Sequence, residues 1–402
     1  MPRPAPLTRL IGICSLVYFL DGLIHSMLGP LAPDMARDLG LTKAQLGPIF
    51  SANLAGQCIG LVTLPLLAFR MGHGRVVFAG LLGLVISQGL TALAEGPASL
   101  FWTRLLAGVF LGGCLPSCLA MVTVAAPLAR RGFSIMVIFT GYGLGATVAG
   151  LMASAFLQAG GWRAAMVAAG AACLVTAGLA WRYLCTPATA KQEPGVETGA
   201  ARPGYGARSI VAPPYLAGTL LLWLLFIAML TISYCLNSWL PVMLVETGRD
   251  EHFAAVSVSV FSLGGIVSAL GIGAFIDRFG AIRTLLTALS VSAVLLYFTG
   301  QALESASPTA VMALLAASGF FVLGAYGGVN VILANYYPGD ILAAGTGWAK
   351  AVGRLGTVIA PILIGTALTA GMRETSVMSL FAIPAIVAIL SLLVIGGLMR
   401  TK

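Results

Sequence analysis

Apolar residues run along this chain in blocks of twenty or so, separated by short polar breaks. A helix of about 20 apolar residues is long enough to cross the hydrocarbon core of a bilayer. Blocks of this kind lie at 10–33, 46–68, 76–94, 99–126, 134–158 and 164–184. A second series follows at 214–243, 254–276, 284–303, 309–335, 346–369 and 376–399. The stretch separating the two series, TPATAKQEPGVETGAARPGYGARSIVAP (186–213), is polar, rich in Gly, Pro and Ala, and has no apolar period, which is the composition of a linker. The pattern predicts an all-α membrane protein of twelve spans: a six-helix half over 1–185, a linker over 186–213 and a second six-helix half over 214–402.

Composition sharpens this picture. The chain is 59% hydrophobic and only 9% charged, whereas a soluble domain carries about 25% charged residues. So few charges cannot make a water-facing exterior, so lipid is its main solvent. The 50 glycines suit helices that approach closely inside a bilayer. The net charge of +9 does not mark a nucleic-acid binder, because the basic residues are scattered in short loops without a basic face or aromatic RNA motif. They act as topology signals. With the N-terminus in the cytoplasm, fourteen Lys and Arg fall on the cytoplasmic side and only Arg37, Lys43, Arg163, Arg249 and Arg373 on the other. The bias favours a cytoplasmic N-terminus, and an even number of spans returns the C-terminus there. The opening MPRPAPLTRLIG runs into an apolar stretch with no nearby cleavage site, so it reads as a retained first helix. Seven cysteines lie mostly in apolar runs, no C-x-x-C pair occurs and there are three histidines. No metal site or cofactor is expected, and the cysteines read as small core residues. No nucleotide motif or nucleophile–base pair argues for an enzyme. The chain is read as a monomer.

The halves echo each other. PLLAFRMGHGRVV (65–77) and GAFIDRFGAIRTL (273–285) both place an arginine, a glycine two residues on and another arginine three further. Parallel repeats of six-helix halves, with a substrate site between them near the midplane, are a recurring plan of secondary carriers. GAFIDRFGAIR resembles the loop signature G-x-L-x-D-R-x-G-R-K-R of the major facilitator superfamily, and RLLAGVFLGGCLP (104–116) resembles its fourth-helix arginine motif. Within that superfamily the chain is similar to the aromatic acid:proton symporters, in DGLIHSMLGPLAPDMARDLGLTKAQLGPIFSA (21–52), NSWLPVML (237–244), FSLGGIVSALGIGAFIDRFG (261–280) and NYYPGDILAAGTGWAKAVGRLGTVIAPILIG (335–365). The resemblance implies a bacterial inner-membrane carrier taking up a small organic anion, such as an aromatic carboxylate, with protons by alternating access. There are departures. Ile24 stands where the family has a second helix-1 acid, Phe69 where the first loop signature has an acid, Val124 where the fourth helix ends on one, and Leu342 where an arginine follows the YYP turn. The missing acids keep an anion exchanger, a uniporter and an exporter of amphipathic compounds open beside import. A non-transporting membrane sensor is the alternative of another class.

Ionisable groups within spans are costly and each is a functional candidate. Asp21 and His25, four apart on helix 1, share a face and suit proton uptake and release; the alternative is that Asp21 pairs with a buried base such as Arg104. Arg104, by resemblance, belongs with proton coupling, or else it simply bonds backbone carbonyls. Lys350 and Arg354, four apart on helix 11, repel unless an anion or acid neutralises them, and an arginine can hold a carboxylate bidentately. Tyr142, Asn237, Trp239, Tyr326, Asn330 and Trp348 offer stacking faces and hydrogen bonds to a planar acid, although each is also an ordinary packing residue. Asp277, Arg278 and Arg283 at the cytoplasmic end of helix 8 correspond by resemblance to the superfamily's gate motif; the alternative is a plain positive-inside loop.

Overall fold

A computed structural model describes residues 7–127, 130–185 and 207–400. All regular structure among them is helical: α1 (Leu7–Ser26), α2 (Leu28–Leu39), α3 (Lys43–Met71), α4 (His73–Ala92), α5 (Pro97–Ala125), α6 (Arg131–Ala159), α7 (Gly161–Leu184), α8 (Ala207–Ile210), α9 (Pro213–Glu246), α10 (Glu251–Phe279), α11 (Ala281–Ser305), α12 (Pro308–Tyr336), α13 (Gly339–Thr369), α14 (Glu374–Leu380) and α15 (Ala382–Arg400). Among the described residues twelve stretches are long and apolar enough to span a bilayer, as the block pattern predicts. Most of the expected linker, 186–206, lies outside the described residues, and its end forms the single turn α8, with Ile210 buried.

Two spans differ from the pattern, and proline accounts for both. The first block was expected to run unbroken from 10 to 33, but α1 stops at Ser26 and α2 starts at Leu28. Pro30 lacks the N–H that would bond the Ser26 carbonyl, and its ring crowds that position. Pro384 stands in the same relation to Leu380, where α14 gives way to α15. The first break matters most, because it turns α2 into a separate segment carrying Asp34, Arg37 and Asp38.

The chain forms two compact units, one of residues 1–198 with 251–259 and one of residues 199–250 with 260–402. In the first unit α1 packs on α6, α3 on α5 and α4 on α7. Glycine lets backbones meet. A Cβ on Gly145 of α6 would stand 1.9 Å from the Phe19 carbonyl oxygen of α1, and one on Gly22 would stand 2.1 Å from the Tyr142 carbonyl oxygen. Small-residue seams of this kind replace the hydrophobic effect as the glue of helices in lipid. Gly145→Leu is therefore expected to destabilise the protein by about 1–3 kcal/mol, whereas Gly12→Ala, which has open space around it, leaves stability unchanged. Thermal unfolding in detergent checks both; equal melting temperatures for the two variants would contradict the seam.

The second unit repeats the design. On the α3–α5 seam Gly56 meets the Leu105 carbonyl and Gly108 the Asn53 carbonyl; on the α10–α12 seam Gly264 meets the Ala316 carbonyl and Gly319 the Phe261 carbonyl. The turns after α3 and α10 also match. Gly72 has φ 87° and ψ 145°, and Gly280 has φ 83° and ψ 152°, a backbone region open essentially to glycine alone. The arginine–glycine–arginine spacing seen in both loops is thus built around a glycine that lets one helix turn sharply into the next.

Candidate functional site

In the first unit, Asp21 of α1 is 4% exposed and turned toward α3, away from the Ser15–Phe19–Gly22 side that the glycine seam draws against α6. Its Oδ1 accepts a hydrogen bond from Gln57 Nε2 of α3 at 3.0 Å, and the same nitrogen lies 3.5 Å from Asn53 Oδ1. The seam of Gly56, Gly108 and Gly112 against their facing carbonyls fixes α3 on α5 on either side of these amides. His25 is also buried, one turn along from Asp21. Tyr142 is half-buried on α6, its carbonyl against Gly22.

Arg104 does not take the place of base to Asp21. It is fully buried, and its guanidinium donates to Gln88 Oε1 at 3.2 Å, to Met166 Sδ at 3.5 Å and to the Ile24 carbonyl at 3.3 Å. Ile24 sits in the last turn of α1, where carbonyls are in excess and the helix dipole is negative, so a cation there steadies the end of the helix. Arg104 thus bonds one backbone carbonyl, one side-chain amide oxygen and one thioether, and Asp21 accepts from a neutral amide.

In the second unit, Lys350 and Arg354 share one side of α13 and lie near enough to act on each other electrostatically. The Tyr326 hydroxyl of α12 is within the same reach of Arg354 and of Tyr234 on α9. Phe226 meets the Tyr326 ring edge-on at 6.4 Å, and Trp223 faces Trp348 at 6.2 Å with their planes 31° apart. Gly353 and Gly356 bring α13 against Phe226 and Ile227 of α9. Trp348, two residues before Lys350, points to another side of α13; the ring brought to the pair of bases is Tyr326, and two cations beside an aromatic hydroxyl suit an aromatic anion.

The other candidates scatter. Trp239 is fully buried and Asn237 is 9% exposed, with the Asn237 Oδ1 finding no hydrogen-bond donor among the described residues. Asn330 donates to the Gly327 carbonyl of its own helix at 3.0 Å. Asp277, Arg278 and Arg283 lie at the α10–α11 turn; Asp277 and Arg278 are exposed, and the Arg278 guanidinium sits 5.3 Å from the Phe279 ring. At the YYP turn, the hydroxyls of Tyr337 and Thr219 are 2.8 Å apart, and burial pushes the Tyr337 hydroxyl above its usual value.

Sequence reasoning missed two features. Gln57, Asn53 and Gln88 are uncharged amides inside apolar blocks, and a search restricted to ionisable groups passes over them; the four-residue spacing of Asn53 and Gln57 was the available signal. The second is a polar cluster on α2. Asp34 accepts from the Trp162 backbone N–H at 2.9 Å and from Arg37 at 3.1 Å, and Arg37 also pairs with Glu251 at 2.6 Å. Asp38 accepts from Trp162 Nε1 at 3.0 Å and from Arg163, which also donates to the Ala94 carbonyl at 3.0 Å. The Arg163 hydrogen bond, with that of Trp162, holds the Asp38 carboxyl below its usual range. Arg37 and Arg163, legible in the sequence only as loop charges, thus tie α2 to the start of α7 and α10.

The sequence profile of the Major Facilitator Superfamily matches residues 14–256 and 222–402. The gallate transporter of Pseudomonas putida is 29% identical over an alignment of 408 positions that covers 96% of this chain and 90% of that protein. The 3-(3-hydroxy-phenyl)propionate transporter of Escherichia coli K12 is 32% identical over 389 residues, covering 96% of this chain and 93% of that protein. Among solved structures, the crystal structure of a D-xylose-proton symporter has a TM-score of 0.78 at 14% identity, covering 96% of this chain and 97% of that one, a likeness of fold.

Proposed function

Because this chain belongs to the Major Facilitator Superfamily, we propose that it carries a small aromatic carboxylate inward together with protons, by alternating access. Membership makes it a multi-pass membrane transporter and not an enzyme; substrate, coupling and sidedness are the proposal. The observation that carries it is the pair of bases, Lys350 and Arg354, on one side of α13 with the Tyr326 hydroxyl within electrostatic reach of Arg354. Two neighbouring cations in a bilayer demand an anion, and the tyrosine beside them favours an aromatic one. Relatives named for aromatic acids, similar over nearly the whole chain, support the same class.

In this reading Arg354 takes the carboxylate as a fork, Lys350 adds charge, and Tyr326 orients the ring. Asn237 and Asn330 serve ring substituents, and Trp239 and Tyr142 shape the packing. Asp21 takes a proton from the outside, with His25 one turn away and Arg104 steadying the end of α1, and releases it at the higher pH of the cytoplasm. Asp277, Arg278 and Arg283 belong to a gate at the cytoplasmic face of a bacterial inner membrane, where both termini lie. A proton gradient drives uptake only if proton and anion bind one state more tightly than the other.

Uptake of labelled hydroxylated aromatic acids and of aliphatic acids into proteoliposomes, with and without an inward proton gradient, tests the reading. Gradient-stimulated uptake of aromatic acids in preference to aliphatic ones is expected. Indifference to the gradient, with counterflow intact, would replace symport by exchange, which the absent acids at Ile24, Phe69 and Val124 would then explain.

A further inference from the structure

We propose that Gln57 is a positioning residue for Asp21, an amide that serves the carboxyl group in both of its protonation states and thereby sets the pH at which the carrier loads. The inference rests on the reading of Asp21 as the proton site.

A buried carboxylate needs donors, and a buried carboxylic acid needs an acceptor for its O–H. An arginine or lysine partner meets only the first need and locks the group in its charged form. Gln57 meets both. As placed, its Nε2 donates to Asp21 Oδ1 at 3.0 Å, which suits the ionised acid. Asn53 Oδ1, 3.5 Å from the same nitrogen, draws the other Nε2 hydrogen and keeps the N–H side of the amide turned to Asp21. The terminal torsion of glutamine is soft and roughly two-fold. Rotation about it brings Oε1 toward Asp21, where it accepts the O–H of the protonated acid.

A second observation points the same way. Asn53 is 2% exposed, and its Nδ2 finds no acceptor among the described residues. A buried amide donor left without an acceptor carries a cost. Once Gln57 has turned and Asn53 turns with it, Asn53 Nδ2 faces Gln57 Oε1 and gains an acceptor. The ionised arrangement thus leaves Asn53 Nδ2 without an acceptor, and the protonated arrangement supplies one.

Titratable and charged groups surround this pair. On α1 they are Tyr18 and His25. From α5, Cys114 and Cys118 act on Asp21 or on Tyr18, and Arg104 is directed to Gln88, Met166 and Ile24. α6 brings Tyr142. α7 brings Cys173, which faces Cys114. The charges of α2 are Asp34, Arg37 and Asp38, engaged with one another's neighbours Trp162, Arg163 and Glu251.

The test is the pH dependence of uptake in proteoliposomes for Gln57→Leu, Gln57→Glu and Asp21→Asn, with counterflow at equal pH as a measure of folded carrier. Loss of the donor disfavours the ionised acid, so Gln57→Leu is expected to move the midpoint of the pH profile upward by about one unit. Gln57→Glu, of nearly the same shape, moves it further up, because two adjacent carboxylates resist ionising together; it carries the test should the leucine variant fail to fold. A midpoint that stays in place while the rate falls at every pH overturns the inference, since that is the effect of looser packing alone. Asp21→Asn separates the two readings. If it loses gradient-driven accumulation while the Gln57 variants keep the wild-type midpoint, only the role of Gln57 fails. If it accumulates substrate as the wild type does, Asp21 is not the proton site and both fail.

Discussion

Asp21→Asn is expected to abolish accumulation driven by a proton gradient while retaining counterflow of the same substrate. The argument is one of shape against charge. Asparagine keeps the size of the side chain and still offers an oxygen to Gln57 Nε2, so the contact at 3.0 Å survives in kind. The Gly22–Tyr142 and Gly145–Phe19 approaches that fix α1 on α6 are backbone contacts and do not depend on residue 21. What the amide cannot do is take up a proton outside and release it inside. Uptake by the wild type should rise as external pH falls through the range in which a carboxyl group protonates, and the variant should be flat there. Labelled-substrate uptake at several external pH values reads this directly. Undiminished accumulation by the variant would remove Asp21 from coupling and shift attention to His25.

The second large effect concerns the base pair. Arg354→Ala is expected to weaken binding of an aromatic carboxylate about 100-fold, or about 3 kcal/mol, the scale of a lost charge-assisted bidentate contact. Folding should hardly suffer. Arg354 and Lys350 act on each other as like charges in a low-dielectric setting, so removing one relieves repulsion as well as removing contacts. The Gly353 and Gly356 approaches to α9 are made to backbone and to the side chains of Leu230, Phe226, Ile227 and Thr231, and do not depend on residue 354. Titration followed by the fluorescence of Trp223 and Trp348, which face each other at 6.2 Å, gives the affinity, and the melting temperature gives the stability. A variant that binds normally would place the substrate elsewhere; one that loses affinity and melting temperature together would make Arg354 a structural residue.

Much of this protein is legible in its sequence, for a reason special to membranes. In lipid every backbone polar group must be satisfied within the segment, so a long apolar block has one helical solution. The twelve spans follow from that alone. The repeated Arg70–Gly72–Arg75 and Arg278–Gly280–Arg283 spacing was readable for a similar reason, since the turn it encodes requires a glycine φ near 85° in each copy. The breaks at Pro30 and Pro384 are also encoded locally, since proline lacks the N–H of its helix position, but block length alone does not show them.

The polar interior is another matter. Charge marks Asp21, His25, Arg104, Lys350 and Arg354 as candidates without saying which meets which. Pairing of Asp21 with a buried base such as Arg104 is one alternative that charge alone leaves open, yet Arg104 serves Gln88, Met166 and the Ile24 carbonyl, and Asp21 takes Gln57. Those pairings depend on the rotation of each helix about its axis and on how closely it approaches its neighbour. Both are set by glycine seams such as Gly145 on Phe19 and Gly108 on Asn53, whose two sides lie far apart in the chain. The same holds for Arg37 and Arg163, which the sequence shows as loop charges and the folded chain joins through Asp34, Asp38 and Trp162. Sequence alone thus determined the number of spans, their repeat and the few residues with chemistry to offer, because transfer into lipid is a local property of each segment. The tertiary structure decided which of those residues share a hydrogen bond, because that follows from side chains brought together by contacts no single segment encodes.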